Sequence, residues 1–96
     1  MEGVLWHLLA SSRGGDTRTR VIQELDDRPQ NANQLADSLD LDYTTVRHHL
    51  DVLAENSIVE ESHDDYGAPF LLTDRVRNHW TTVEEIIDTV DPEENP

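Results

Sequence analysis

The sequence contains no cysteine and no lysine among its 96 residues. Without cysteine there can be neither a disulfide framework nor a thiolate metal site. Without lysine, all seven basic residues are arginine, set against 21 acidic ones for a formal net charge of −14. No apolar run approaches the roughly 20 residues of a membrane-spanning helix, and Val4 to Ala10 is the most apolar stretch. That stretch also lacks the basic start and small-residue cleavage pattern of a signal peptide, so a cytoplasmic location with no membrane partner is expected. A glycine-rich phosphate loop, a paired-carboxylate cleft and a nucleophile with an evident base are all missing, which argues against an enzyme. The length allows one small domain with a marginal core, which burial against a second copy would reinforce.

What is present is organised around Asn31 to Asn56, NANQLADSLDLDYTTVRHHLDVLAEN. Asn31 with Gln34 three residues on forms a capping-box pattern, followed by Leu35, Ala36 and Leu39 on one helical face. Asp40-Leu41-Asp42 makes a short turn, with Leu41 inward and Asp42 placed to cap the next helix. That helix, over 43–55, carries Val46, Leu50 and Leu53 on one stripe and Tyr43, Thr44, Arg47 and His48 on the opposite face. Two short helices, the second presenting polar and aromatic tips from its N-terminal half, meet the requirement of a DNA-reading helix-turn-helix.

The flanks fit around this pair. Glu2 to Ser12 reads as a helix with Val4, Leu5, Leu8 and Leu9 on one side, broken by Arg13-Gly14-Gly15. Asp16 is placed to cap a second helix from Thr17 to about Asp27, burying Val21, Ile22 and Leu25, and Arg28-Pro29 ends it. Ile58 to Ser62 and Ala68 to Leu72 flank a turn at His63 to Gly67, the pattern of a β-hairpin, with Pro69 confining its strand to an edge or to the start of pairing. A hairpin directly behind a reading helix is a wing. A last helix is expected from Thr73 or Asp74 to about Val90, with Val76, Trp80, Val83, Ile87 and Val90 in a heptad seam. The expected fold is therefore mainly α with a small β-hairpin, a winged helix-turn-helix with N- and C-terminal flanking helices. Residues 1–14 form an N-terminal helix in dimer contact, 15–73 the winged helix-turn-helix, 74–90 a C-terminal dimerisation helix and 91–96 a flexible tail.

The run Leu41-Asp42-Tyr43-Thr44-Thr45-Val46-Arg47-His48-His49-Leu50, with Leu53 and Ile58-Val59, resembles the reading helix and wing entry of the ArsR-like winged helix-turn-helix regulators, especially small archaeal members. The excess of acids spread along the chain, with no lysine, likewise resembles proteins of salt-in halophiles, whose carboxylates keep a surface hydrated. The family resemblance implies a DNA-binding regulator. The chain departs from that pattern in carrying Asp64-Asp65 where a basic wing is common, and in having no cysteines for metal sensing. It also has a single histidine, His79, on its terminal helix. No metal or other cofactor is expected.

The candidate DNA-binding residues are Tyr43, Thr44, Thr45, Arg47 and His48, with double-stranded DNA as the partner. Arg47 can grip guanine or phosphate at two points, or simply pair with Asp51 one turn on. His48 shares its outward side. His49 turns toward the first helix of the pair, as a packing residue. Arg13, Arg18 and Arg20 could meet flanking phosphates, or be solvated surface charges. The candidate homodimer interface is Val4, Leu5, Leu8, Leu9, Val76, Trp80, Val83, Ile87 and Val90. Two functions follow from these readings. One is a homodimeric, sequence-specific transcriptional regulator with helix 43–55 in the major groove. The other is a winged-helix protein-interaction module that does not bind DNA, which the wing acids and net charge favour.

Overall fold

The structure, a computed structural model, describes residues 1–63 and 67–90. The expected turn acids Asp64 and Asp65 and the expected flexible tail 91–96 lie outside the described residues. Helix α1 (Glu2–Trp6) continues into a π-helical turn, His7–Ser11. The carbonyls of this wider turn are used by side chains of the next helix: Leu8 O accepts from Arg18 Nε at 2.8 Å, and Leu9 O from Thr19 Oγ1 at 3.5 Å.

Helix α2 (Gly15–Asp27) begins before the expected Thr17, and Asp16 does not cap it. The cap position is Gly14, whose φ of 84° lies in the left-handed region that glycine adopts without steric penalty. Asp16 sits inside the first turn and accepts from Thr17 N at 2.9 Å. Gly15 packs so closely on the π-helical turn that a Cβ would run into the Leu9 carbonyl. At the other end Arg28, held extended before Pro29, stops the helix as expected.

Helices α3 (Ala32–Leu39) and α4 (Tyr43–Glu55) form the helix-turn-helix. The capping box is complete: Asn31 Oδ1 accepts from Gln34 N, and Gln34 Oε1 accepts from Asn31 N, both at 2.8 Å. Asp40 closes α3 in a left-handed conformation (φ 57°, ψ 48°), where aspartate is more tolerant than most residues. Leu41 then packs against the core and Asp42 caps α4.

The wing is an antiparallel pair, β1 (Val59–Glu61) and β2 (Phe70–Leu72), registered Val59 to Leu72 and Glu61 to Phe70. A third contact was not anticipated: Gln30 bridges Phe70, Gln30 N donating to Phe70 O at 3.1 Å and Phe70 N to Gln30 O at 2.8 Å. Gln30 is fully buried, and its Nε2 donates to Glu24 O at 3.0 Å, which ties the wing base to the end of α2.

The C-terminal segment is two helices, α5 (Asp74–Arg77) and α6 (Trp80–Val90), where one continuous helix was expected. Asn78 N–H still reaches Asp74 O, but His79 N–H turns to Val76 O at 2.9 Å, a tighter bond that breaks the helical path. The heptad phase therefore does not carry across the break. Thr82, Val83 and Ile86 form the buried face of α6, while Trp80, Ile87 and Val90 are half-buried. Leu5, Leu8 and Leu9 are also buried within this chain, as are Val76 and Val83. These five residues of the expected dimer seam face the chain's own core, because α1 and the π-helical turn pack on α6. Val4, Trp80, Ile87 and Val90 retain accessible surface.

Candidate nucleic-acid interface

The apolar stripe of α4 fixes how the helix sits. Val46, Leu50 and Leu53 are fully buried against the core, each contributing roughly 1.5–3 kcal/mol relative to exposure. The opposite face is thereby turned outward. Tyr43, Thr44 and His48 are exposed there, and Arg47 is half-buried. Side chains at i and i+4 stack on one helical face, so Tyr43 lies over Arg47 and Thr44 over His48.

Thr45, included among the candidates, is half-buried. Its hydroxyl donates to Asp42 Oδ1 at 2.7 Å and its backbone N–H to Asp42 Oδ2 at 3.1 Å. These bonds, the hydroxyl's first, hold the Asp42 carboxyl below the usual carboxylate range. The start of α4 thus already holds one anion, which offsets the helix-end attraction for a phosphate.

Arg47 leans toward the wing. Its guanidinium lies 5.3 Å from the centroid of the Phe70 ring, and its Nε pairs with Asp51 Oδ1 at 3.2 Å. Both partners of the pair are partly solvated, with 39% and 54% of their side-chain surface exposed. Such a pair contributes on the order of 0–1 kcal/mol, so a base edge or phosphate can compete for the guanidinium. Acids also line the wing strand, where Glu60 and Glu61 are exposed.

His49 is buried, as expected, but the group it meets is Arg18 of α2: Nδ1 lies 3.3 Å from Arg18 Nη1. Burial, then the positive charges of Arg18 and His48, lower its pKa from the usual 6.5. Arg18 is itself buried, so it cannot meet flanking DNA as the sequence allowed. Arg20 is exposed and donates to Leu39 O at 3.2 Å, across the end of α3. The exposed Arg13 side chain makes no hydrogen bond or ion pair among the described residues. The arginine–histidine contact joins residues 31 apart in sequence. The only local hint was Gly14-Gly15 ahead of an arginine. Among the described residues no three histidine or acidic side chains gather as a metal cage, and no helix is long and apolar enough to cross a membrane.

Residues 16–62 match the family described as "Helix-turn-helix domain". No curated protein matches the sequence. Among solved structures, the chain is similar to a mutant of ZitR from Lactococcus lactis, at 20% identity and a TM-score of 0.60 over 92% of this chain and 68% of that one. It is similar to the transcriptional repressor BigR from Xylella fastidiosa, at 17% identity and a TM-score of 0.69 over 98% and 86%. It is also similar to the transcriptional repressor CouR bound to a 23-mer DNA duplex, at 18% identity and a TM-score of 0.70 over 94% and 66%. The chain therefore spans only about two thirds of the ZitR and CouR chains. At these identities the likeness establishes the fold, a winged helix-turn-helix with flanking helices.

Proposed function

We propose that the chain is a sequence-specific DNA-binding transcriptional regulator of the ArsR-like kind, acting as a homodimer with α4 in the major groove. The observation that carries this reading is the outer face of α4, where Tyr43, Thr44 and His48 stand exposed beside Arg47 on a helix whose other face is locked in the core. The helix-turn-helix match over residues 16–62 and the fold shared with a DNA-bound repressor support it. In this reading Tyr43 and Thr44 meet backbone or base edges in the first turn, Thr45 buttresses them through Asp42, and Arg47 and His48 read bases. The partner is double-stranded DNA, no cofactor takes part, no catalysis is involved, and the setting is the cytoplasm of a halophilic archaeon. The second copy docks on Val4, Trp80, Ile87 and Val90.

A genome-wide footprint in the protein's own cells tests the function, and discrete protected sites are expected. Sedimentation tests the dimer: Trp80→Asp with Ile87→Asp yields monomers from a native dimer, and a native monomer at micromolar concentration in high salt refutes it. A second reading is a winged-helix protein-interaction module. It is favoured by Glu60 and Glu61 on the wing strand and by Asp51 opposite Arg47. A footprint with no protected site would establish that alternative over the first.

A further inference from the structure

In a chain of net charge −14, the buried Arg18 has no carboxylate bound to it among the described residues. Arg18 is 5% exposed and every group it touches is formally neutral. Its Nε donates to Leu8 O at 2.8 Å, and its Nη2 donates to Ser12 Oγ at 2.6 Å and to Arg13 O at 3.0 Å. The remaining contact is Nη1 with His49 Nδ1 at 3.3 Å. A guanidinium can only donate, so Nδ1 must offer its lone pair and the ring must carry its proton on Nε2. The contact therefore exists only while His49 is neutral.

The surroundings leave little room for an alternative. Gly14 faces the ring so closely that a Cβ there would lie 2.8 Å from His49 Cε1 and 3.2 Å from Arg18 Nη1. The charged and titratable groups facing His49 are Arg18 from α2 and His48, whose ring centroid is 5.5 Å away on α4. Asp16 in the first turn of α2 acts on it in the opposite sense. Arg13, in the loop before Gly14, is exposed.

We infer that Arg18 and His49 are positioning residues forming a proton-released latch, which holds α4 against α2 and the N-terminal π-helical turn while His49 is neutral and lets go when it is protonated. A proton on Nδ1 would set two donors and two positive charges face to face with no acceptor between them. The ring must then swing away, and the first half of α4 loses its tie to the Leu8, Ser12 and Arg13 groups that Arg18 gathers. The sign follows from the lowered pKa of His49. The latch contributes its full stability above about 6.5, the ordinary histidine value, and loses it as pH falls from there through the lowered folded value. Its consequence for DNA rests on the function proposed above; the latch itself does not.

The test uses the full chain and its His49→Gln variant, whose amide oxygen can accept from Arg18 but cannot take up a proton. Nitrogen-15 NMR of the imidazoles should show His49 Nδ1 unprotonated at pH 7.5. Hydrogen exchange in segments 7–18 and 43–50, corrected for intrinsic rates, should accelerate roughly tenfold for each pH unit crossed between the free and folded titrations. That acceleration should coincide with the His49 titration and be absent from His49→Gln. DNA affinity should fall over the same range, and His49→Gln should abolish the part of the fall that coincides with the exchange step. A protonated Nδ1 at pH 7.5, or the same acceleration in wild type and His49→Gln, overturns the latch. Should His49→Gln not fold, wild type alone decides: His49 titrating with no change in exchange overturns it, and a coincident step supports it. Absence of DNA binding at pH 7.5 would count against the proposed function, while the exchange arm would still decide the latch.

Discussion

Two arginines mark opposite sides of α4, Arg18 reaching it from α2 and Arg47 projecting from it toward the wing, and the chain holds them in opposite ways. Arg18, on the α2 side, is buried and bound only by carbonyls, a hydroxyl and an imidazole. Arg47, on the wing side, is part-exposed, rests over Phe70 and has a carboxylate in Asp51. The chain has abundant acid, yet among the described residues none sits on buried Arg18, while one sits on the accessible Arg47. A buried arginine fixed by directional acceptors sets a geometry. An exposed ion pair is a weak, exchangeable arrangement that leaves the guanidinium available to a ligand. The side of α4 toward α2 thus has the character of a mount, and the side toward the wing that of a contact surface.

The sharpest way to break this contrast is to remove each arginine in turn. Arg18→Met should lower stability by about 3 kcal/mol, because the buried Leu8 carbonyl and the part-buried Arg13 carbonyl and Ser12 hydroxyl lose a charged donor. Urea unfolding measures it, and a loss below about 1 kcal/mol would put Arg18 among ordinary surface charges. Arg47→Ala should change stability by no more than about 1 kcal/mol. Its effect should appear in DNA, with roughly 1–3 kcal/mol of specific affinity lost and preference relaxed at one base pair per half-site. Equal stability losses for the two variants would erase the distinction.

A smaller effect sharpens the contact side. Thr45 holds Asp42 below the usual carboxylate range, so the cap on α4 is fully present above pH 3.8, the ordinary aspartate value, and is lost as pH falls through the lowered one. Acid titration followed by circular dichroism should show wild type losing helix in that window, while Asp42→Asn shows no such step. Identical acid profiles would mean that the cap does not govern the start of α4.

Much of the contact side was legible in the sequence and much of the mount was not. Asn31 with Gln34, the short turn at Asp40 to Asp42 and the cap at Asp42 depend on residues within three positions of one another, so local pattern suffices to find them. The outward face of α4 follows equally from Val46, Leu50 and Leu53. Arg18 offered no such pattern. Its burial depends on a π-helical turn exposing the Leu8 carbonyl, on a left-handed Gly14 and on His49 arriving from another helix. Gln30 was missed for the same reason, since its strand-like bridge joins it to Phe70, far along the sequence. At the C-terminus the heptad spacing was real, but the turn at Asn78 and His79 resets its phase, and several of its apolar residues serve the chain's own core.

The central claim, that the outer face of α4 reads DNA, is tested most directly by selection from a randomised duplex pool. The selection should be run from dilute to molar potassium chloride, with folding checked at each step. The claim predicts a two-fold symmetric motif with half-sites about one helical turn apart. Its affinity should stay flat or rise with salt, because a chain of charge −14 cannot draw on the counterion release that makes basic proteins salt-sensitive. Recovery of no motif at any salt concentration where the protein is folded would contradict it.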